Sequence, residues 1–235
     1  MLILALDSTA VVATVALCED ETVLAAETVS CGLKHSETIL PLVEKLLSVT
    51  GKTIADIDLF SCSVGPGSFT GVRIGVATIK GLAFGRKKCV GVSTLEALAY
   101  NLHGKEGIVC PVMDARRGQL YNALFRWDGN TLLRLTPDRV IMIDDLAKEL
   151  ADTQDNVFLC GDAYLLVKDT INLGNVQETD DDSISQNAVS VARLALHEYQ
   201  KGNFVDDAEL RPTYLRAPQA ERERNERLKL EAHNN

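Results

Sequence analysis

The chain has no long apolar run and no basic leader. Asp7 interrupts the apolar N-terminal run, and no stretch approaches the ~20 apolar residues that a membrane span needs. Apolar residues make up 46% of the 235, which is ordinary for a globular protein and too high for a disordered one. These absences predict a soluble, cytoplasmic protein without a membrane partner.

Closely spaced cysteine pairs are also missing. The six cysteines stand singly and mostly within apolar runs, with no C-x-x-C. Zinc clusters and disulfide frameworks favour close, repeated spacings, so we interpret these thiols as small buried hydrophobes in a reducing compartment. They are Cys18, Cys31, Cys62, Cys89, Cys110 and Cys160.

Basic residues are outnumbered by acidic ones, which gives the chain a formal net charge of -9. A protein that grips nucleic acid unaided usually presents a basic stripe, since phosphate contacts supply most of the affinity. The densest basic run, residues 222–229, is interleaved with glutamates, a pattern typical of a solvated helix face. RNA binding by this chain alone is predicted to be weak.

Recognisable catalytic spacings are missing too. His35, His103, His197 and His233 form neither H-x-x-x-H nor H-E-x-x-H, and no G-x-S-x-G elbow occurs. No metal site and no nucleophilic triad is predicted.

Two successive lobes with the same order of elements are present instead. The first has predicted strands at 2–6, 11–17, 22–29, 59–64 and 88–92 and helices at 36–50, 69–84 and 94–102. The second has strands at 108–113, 119–126, 131–135 and 157–161 and helices at 144–151 and 186–201. The repeat, about 107 residues apart, predicts an ancient α/β duplication. We assign residues 1–103 and about 203–217 to the first lobe, 104–202 to the second, and 218–235 to a charged tail.

Asp7, Ser8 and Thr9 follow the first strand, as Asp114 ends the first strand of the second lobe. In a nucleotide-binding lobe such an aspartate can hold hydrated Mg²⁺ while hydroxyls and amides meet phosphate. The same residues also favour a simple Asx or Ser turn between strands. The sequence leaves both interpretations open and favours the turn.

The segment GPGSFTG at 65–71 leads into a helix for which Ser68 is a natural N-cap. It offers free amides to a phosphate but lacks the Lys-Ser/Thr of a Walker A loop. Gly71, Gly75 and Thr78 lie at helical spacing, and mid-helix glycine costs about 1 kcal/mol relative to alanine. Another backbone is therefore expected to approach this bare face, and we favour a helix–helix interface over core packing.

Several segments, in this order, resemble the TsaB (YeaZ) family over about residues 1–217. They are LALDST at 4–9, HSE at 35–37, GPGSFTGVRIG at 65–75, GVSTLEALA at 91–99, DARR at 114–117 and PTYLR at 212–216. The resemblance implies a duplicated actin/hexokinase-like (ASKHA) fold, with two lobes that each have a mixed β-sheet flanked by helices. It also implies a role in synthesis of N6-threonylcarbamoyladenosine (t6A) at adenosine 37 of tRNAs that read ANN codons.

The resemblance further implies a non-catalytic subunit. The paralogous transferase TsaD carries a metal-binding His-x-x-x-His on the helix after its Gly-Pro-Gly segment, and Thr94 and Leu98 occupy the two ligand places here. Neither residue replaces imidazole as a ligand. The Asp7, Ser8, Thr9 and Asp114 set then becomes a vestigial nucleotide site.

In the family the first-lobe helices join TsaB to TsaD, and TsaB also self-associates as a homodimer through the same face. The resemblance thus implies a TsaD-like partner, a TsaE-like ATPase bound to the pair, and tRNA contact only through the complex. It implies no cofactor of the chain's own and leaves open a nucleotide at the complex interface. The predicted interface residues are His35, Ser36, Ile39, Leu40, Val43, Leu47, Phe69, Thr70, Gly71, Arg73, Ile74, Gly75 and Thr78.

The main rival hypothesis is an enzyme, an ATP-dependent kinase or ATPase of the same fold that uses Asp7 and Asp114 around Mg²⁺. Ala115, Arg116 and Arg117 follow Asp114 in place of the glycine and hydroxyl turn expected around phosphate. The sequence therefore disfavours the rival.

Overall fold

The computed structural model describes residues 1–216 except 31, 33, 86 and 172, so the predicted tail at 218–235 and Cys31 lie outside the described residues. The first half of the chain contributes three helices and five strands of a six-stranded sheet, whose sixth strand comes from near the end of the described chain. In chain order these are β1 (Leu2–Asp7), β2 (Val12–Glu19), β3 (Thr22–Ser30), α1 (His35–Thr50), β4 (Leu59–Gly65), α2 (Phe69–Leu82), β5 (Lys88–Ser93) and α3 (Thr94–Tyr100).

The second half builds another sheet. Its elements are β6 (Ile108–Asp114), β7 (Gln119–Asn122), β8 (Phe125–Asp128), β9 (Thr131–Arg134), β10 (Arg139–Met142), α4 (Ile143–Ala151), β11 (Val157–Cys160), α5 (Tyr164–Thr170), β12 (Val176–Gln177), α6 (Asp181–Ile184), α7 (Ala188–Gln200) and β13 (Val205–Asp206). None of the helices in the described ranges is long and apolar enough to cross a membrane.

The two sheets repeat one topology. β1 pairs antiparallel with β2 and parallel with β4, and β6 pairs antiparallel with β7 and parallel with β11. The strand orders are β13-β5-β4-β1-β2-β3 and β10-β7-β6-β11-β12, with β8 and β9 added beside β6. The duplication predicted from the order of elements is therefore present in the folded chain.

Alternation along β1 explains why helices cover both faces of the first sheet. Leu4 and Leu6 pack into the core that α1 and α2 cover, whereas Ile3 and Ala5 pack into the core that α7 covers. Successive strand side chains point to opposite faces, so a strand apolar throughout must be buried on both sides.

The predicted second strand at 119–126 is wrong as one element. β7 pairs with the C-terminal half of β6, where Val112 lies opposite Asn122, and β8 pairs with its N-terminal half, where Ile108 lies opposite Arg126. Between them the Leu124 amide donates to Thr136 Oγ1 at 2.8 Å, which takes that backbone group out of the ladder. The sequence analysis also missed β10, β12, α5 and α6.

The predicted division of the lobes also needs correction. Helix α7, assigned to the second lobe, packs on the first sheet through Val191 and Ala195. Helix α3, assigned to the first lobe, packs Leu95 and Leu98 into the second-sheet core beside Trp127. Helix α7 therefore covers the sheet built mainly by the other half of the chain, whereas α3 lies between the two sheets and packs Ala97 into the first-sheet core, so boundaries based on sequence order do not match the packing.

Candidate functional site

The turn after β1 is enclosed in the protein interior. Asp7 Oδ1 accepts hydrogen bonds from the Thr9 amide at 2.8 Å and from Thr9 Oγ1 at 2.7 Å, and Asp7 Oδ2 accepts one from Ser63 Oγ. Asp7, Ser8 and Thr9 are buried, and desolvation raises the pKa of Asp7. This geometry fits the turn that the sequence favoured over the Mg²⁺ interpretation, because Oδ1 is engaged in the Asx turn and Oδ2 is bound by Ser63.

The same turn fills the bare face of α2. A Cβ added at Gly71 would lie 2.0 Å from the Ser8 carbonyl oxygen, and one added at Gly75 would lie 2.7 Å from Ser8 Oγ. Ser8 Oγ also donates to the Gly71 carbonyl oxygen at 2.9 Å. The close backbone approach inferred from these glycines is real, but it comes from the chain's own β1–β2 turn. The preferred helix–helix interpretation of the glycine face is therefore wrong.

Other predicted interface residues also belong to the core. Ile39 and Val43 lie in the core between α1 and the first sheet, and His35 is buried with Nε2 3.2 Å from the Val12 carbonyl oxygen. These three residues do not reach the surface because they form the buried stripe of α1. Helical periodicity correctly predicted that these residues form one stripe on α1, but the prediction that this stripe faces a partner was wrong.

The remaining predicted interface residues are exposed or partly exposed on α1 and α2. Ser36, Leu40, Thr70 and Arg73 are exposed. Partly buried neighbours that still reach solvent are Leu47, Phe69, Ile74 and Thr78. Because α1 and α2 touch each other and cover the same face of the sheet, these side chains lie on adjoining helices.

The sequence analysis missed two exposed apolar residues near the C-terminal ends of these helices. Phe84 is 85% exposed and Val49 is 68% exposed. Phe84 lies in the turn just after α2, at a sequence spacing that continues Ile74, Ala77 and Gly81 of the helix, a signal that was available in the sequence. Such large apolar side chains left in solvent in a stripe mark candidate contact surfaces.

Residues 203–216, which we call the C-terminal strap, connect the two lobes. Thr213 donates its amide to the Val64 carbonyl oxygen at 2.7 Å, and the Tyr214 ring stacks on Phe69 with centroids 4.6 Å apart. Leu215 packs against the second-sheet core, and Arg216 donates to the Ala115 carbonyl oxygen. The segment assigned to the first lobe therefore also contacts the second.

A cleft of about 390 Å³ lies between the lobes beside the strap. One wall carries the first turn of α2 with Arg73, and the other carries Asp114, Arg116 and Asp162. Arg116 pairs with Asp114 at 3.3 Å, and burial raises the pKa of Asp162 to about 6. Of the four predicted nucleotide-site residues, Thr9 and Asp114 line this cleft, and Asp114 alone is exposed.

Helix α3 holds the two positions compared above with metal ligands. Thr94 and Leu98 are both buried, and Thr94 Oγ1 has no hydrogen-bond partner among the described residues. Within the described ranges, no three His, Cys, Asp or Glu side chains come together as a metal would require. These positions therefore pack between the lobes and face no open site.

Comparisons with known proteins agree with this architecture. A profile of the family described as "TsaD: tRNA N6-adenosine threonylcarbamoyltransferase" matches residues 30–195. The chain is 34% identical over 172 residues to the "tRNA threonylcarbamoyladenosine biosynthesis protein TsaB" of Bacillus subtilis strain 168, which covers 73% of this chain and 75% of that protein. It is 30% identical over 220 residues to the protein of the same name from Escherichia coli K12, which covers 92% and 95%.

The solved structure described as "YeaZ from Pseudomonas aeruginosa" superposes with a TM-score of 0.74 at 22% identity, covering 91% of this chain and 99% of that one. That likeness shows the fold, and the sequence relatives show the family. The chain belongs to the TsaB (YeaZ) family and has the duplicated actin/hexokinase-like fold.

Proposed function

We propose that this protein is a non-catalytic subunit that binds a TsaD-like transferase and supports t6A formation at adenosine 37 of tRNAs reading ANN codons. The names of its relatives place the chain in t6A biosynthesis. The observation that carries the finer proposal is the apolar stripe of α2, called the α2 stripe together with the exposed Phe84 in the turn that follows, which lies beside α1.

The stripe has the chemistry of a protein contact. Ile74 and Ala77 lead to Phe84, while Leu40 and Val49 expose apolar surface on α1. Aromatic side chains are enriched at the centres of protein interfaces, which fits an exposed phenylalanine beside this apolar surface. A paralogous partner with the same helix pair could dock on this face, and a second copy of this chain could use it for a homodimer.

Charge supports a division of labour within the proposed complex. With a net charge of -9, this subunit is poorly suited to hold tRNA by itself. We therefore assign the tRNA contact to the complex, with a TsaE-like ATPase as its further component, and place the complex in the cytoplasm. The kinase or ATPase alternative loses support because the Asp7 carboxylate is enclosed by Ser63 and Thr9.

Co-purification and transfer assays test the proposal. The full chain is expressed with the TsaD-like protein of its own organism, and threonylcarbamoyl transfer to tRNA is measured with and without it. We expect a stable complex and transfer that depends on this chain. Failure to associate, together with unchanged transfer, would overturn the proposal.

A further inference from the structure

The interlobe cleft has no part in the proposed function. Its volume of about 390 Å³ lies within the usual range for sites that hold a small ligand. One wall comes from the first turns of α2, and the other comes from the ends of β6 and β11. A ligand that fills this cleft therefore touches both lobes at once.

Arg73 supplies a positive binding group on the first wall. Its guanidinium lies 5.5 Å from the Phe69 ring centroid and 5.6 Å from the Tyr214 ring centroid, and Nε donates to Tyr214 Oη at 2.8 Å. No other hydrogen bond from this guanidinium is formed to the described residues. The side chain is thus held in place with its two terminal NH₂ groups open, the fork with which arginine binds a carboxylate by parallel hydrogen bonds.

Asp162 supplies a negative group on the second wall. Its Oδ1 accepts a hydrogen bond from the Asp114 amide at 3.2 Å, but no basic side chain in the described ranges forms an ion pair with this carboxylate. Asp114 itself is already engaged, because Oδ1 accepts the Arg116 amide at 2.7 Å and Oδ2 lies 3.3 Å from Arg116 Nη1. Desolvation raises the pKa of Asp162 to about 6, so at pH 7.5 this side chain is ionised and can pair with a cation.

The whole lining favours a ligand without net charge. At pH 7.5 its two arginines balance its two aspartates. A ligand that is only an anion would leave Asp162 without a cation, and a chain of phosphates would bring further negative charge close to both aspartates. Apolar side chains also line the cleft and suit an aliphatic chain between two charged ends; they are Ala10, Val11, Phe69 and Met113.

We propose that the interlobe cleft binds a small zwitterion, an amino acid or short peptide whose carboxylate pairs with Arg73 and whose ammonium group pairs with Asp162. Because these two side chains lie on opposite walls, the two charges of the ligand are separated along its chain. Both ion pairs are partly exposed to solvent, so we expect an affinity in about the millimolar range that falls as salt rises.

Straight-chain ω-amino carboxylates test this proposal because they carry both charges at graded separations. The probes are γ-aminobutyrate, ε-aminocaproate and ω-aminooctanoate, with hexanoate and hexylamine as controls that each lack one charge. They are titrated into the full chain at pH 7.5, and binding is followed through the methyl NMR signals of Val11 and Met113, which line the cleft from different lobes. The Leu165 methyl signals on α5 report any effect outside the cleft.

We expect at least one of the three zwitterions to bind about tenfold or more tightly than either control. The Val11 and Met113 signals should then move with one dissociation constant, and the Leu165 signals should stay in place. Arg73→Gln should weaken this zwitterion to the affinity of hexylamine, and Asp162→Asn should weaken it to that of hexanoate.

Two substitutions of the same chemistry outside the cleft serve as matched controls. Arg126→Gln on β8 and Asp169→Asn on α5 change exposed positions and should leave the affinity unchanged. The methyl spectrum outside the cleft shows that each variant is folded, and the comparison of probes on the natural chain tests the proposal even where a variant does not fold.

Equal affinity of the natural chain for the zwitterions and for the controls that lack one charge would overturn the proposal. Unchanged zwitterion binding in both cleft variants would do so as well, because the ligand would then lie elsewhere. Tighter binding of ADP than of any zwitterion, lost in the same two variants, would assign the cleft to a nucleotide and would also contradict the proposal. No transferase enters these titrations, so this proposal and the proposed function fail separately.

Discussion

Gly71→Ala tests the packing of α2 on the β1–β2 turn. The new Cβ would lie 2.0 Å from the Ser8 carbonyl oxygen, so helix and turn must separate by about 1.4 Å to reach an ordinary van der Waals contact. Overpacking of this kind costs typically about 1–3 kcal/mol, and the better helix propensity of alanine offsets at most about 1 kcal/mol of it. We expect net destabilisation of about 1–2 kcal/mol.

Gly81→Ala in the same helix is the matched control. Nothing lies within 4 Å of a Cβ at Gly81, and the position is exposed. This variant should be more stable than the natural chain by about 0.5 kcal/mol, because alanine restricts the unfolded state. Urea unfolding followed by circular dichroism at matched pH and salt measures both free energies of unfolding.

Equal stability of the two variants would refute this reasoning. It would mean that the Ser8 turn moves freely away from α2. The glycine face could then accept an external backbone, as the sequence analysis preferred.

Three further predictions concern the strap and the buried polar groups. Tyr214→Ala removes the stack on Phe69 and the Arg73 contact, and should lower the free energy of unfolding by about 1–3 kcal/mol; Tyr214→Phe should lose under about 1.5 kcal/mol. Burial raises the pKa of Asp162 from 3.8 to about 6. Between about pH 4 and 6 the folded state thus keeps a proton that the unfolded chain releases, and stability should fall as pH rises. Asp162→Asn should flatten that profile in unfolding titrations from pH 4 to 7. Thr94→Val removes a buried hydroxyl that has no partner among the described residues, and should raise stability by up to about 1 kcal/mol in thermal unfolding. A loss of stability would instead indicate that the hydroxyl is bound to water.

Local rules predicted much of the first sheet. The apolar run of β1 and the Ser68 cap of α2 depend on near neighbours, and each is present in the structure. The Ser68 side chain accepts a hydrogen bond from the Gly71 amide at 3.3 Å. These features were predictable because their physical causes lie within a few residues.

Long-range packing could not be predicted in the same way. The sequence showed that Ile39 and Val43 form an apolar stripe. Packing in the core and packing against a partner both need such a stripe, so the sequence could not tell the two apart. Helix α7 follows the second sheet in sequence but packs on the first sheet, and no local sequence pattern indicates this packing. The cleft was missed for the same reason, since Arg73 and Asp114 meet it from different lobes.

The most direct test of the proposed function is the affinity of the chain for the TsaD-like protein of its own organism after substitution of the α2 stripe. Ala77→Asp and Phe84→Asp place charges on exposed positions of this stripe, and Leu165→Asp, on an exposed residue of α5, is the control. The account predicts at least about 30-fold weaker binding for each stripe variant, the effect of losing a 2 kcal/mol interface residue, and unchanged binding for the control. Full affinity in both stripe variants, with the folded state intact by circular dichroism, would contradict it.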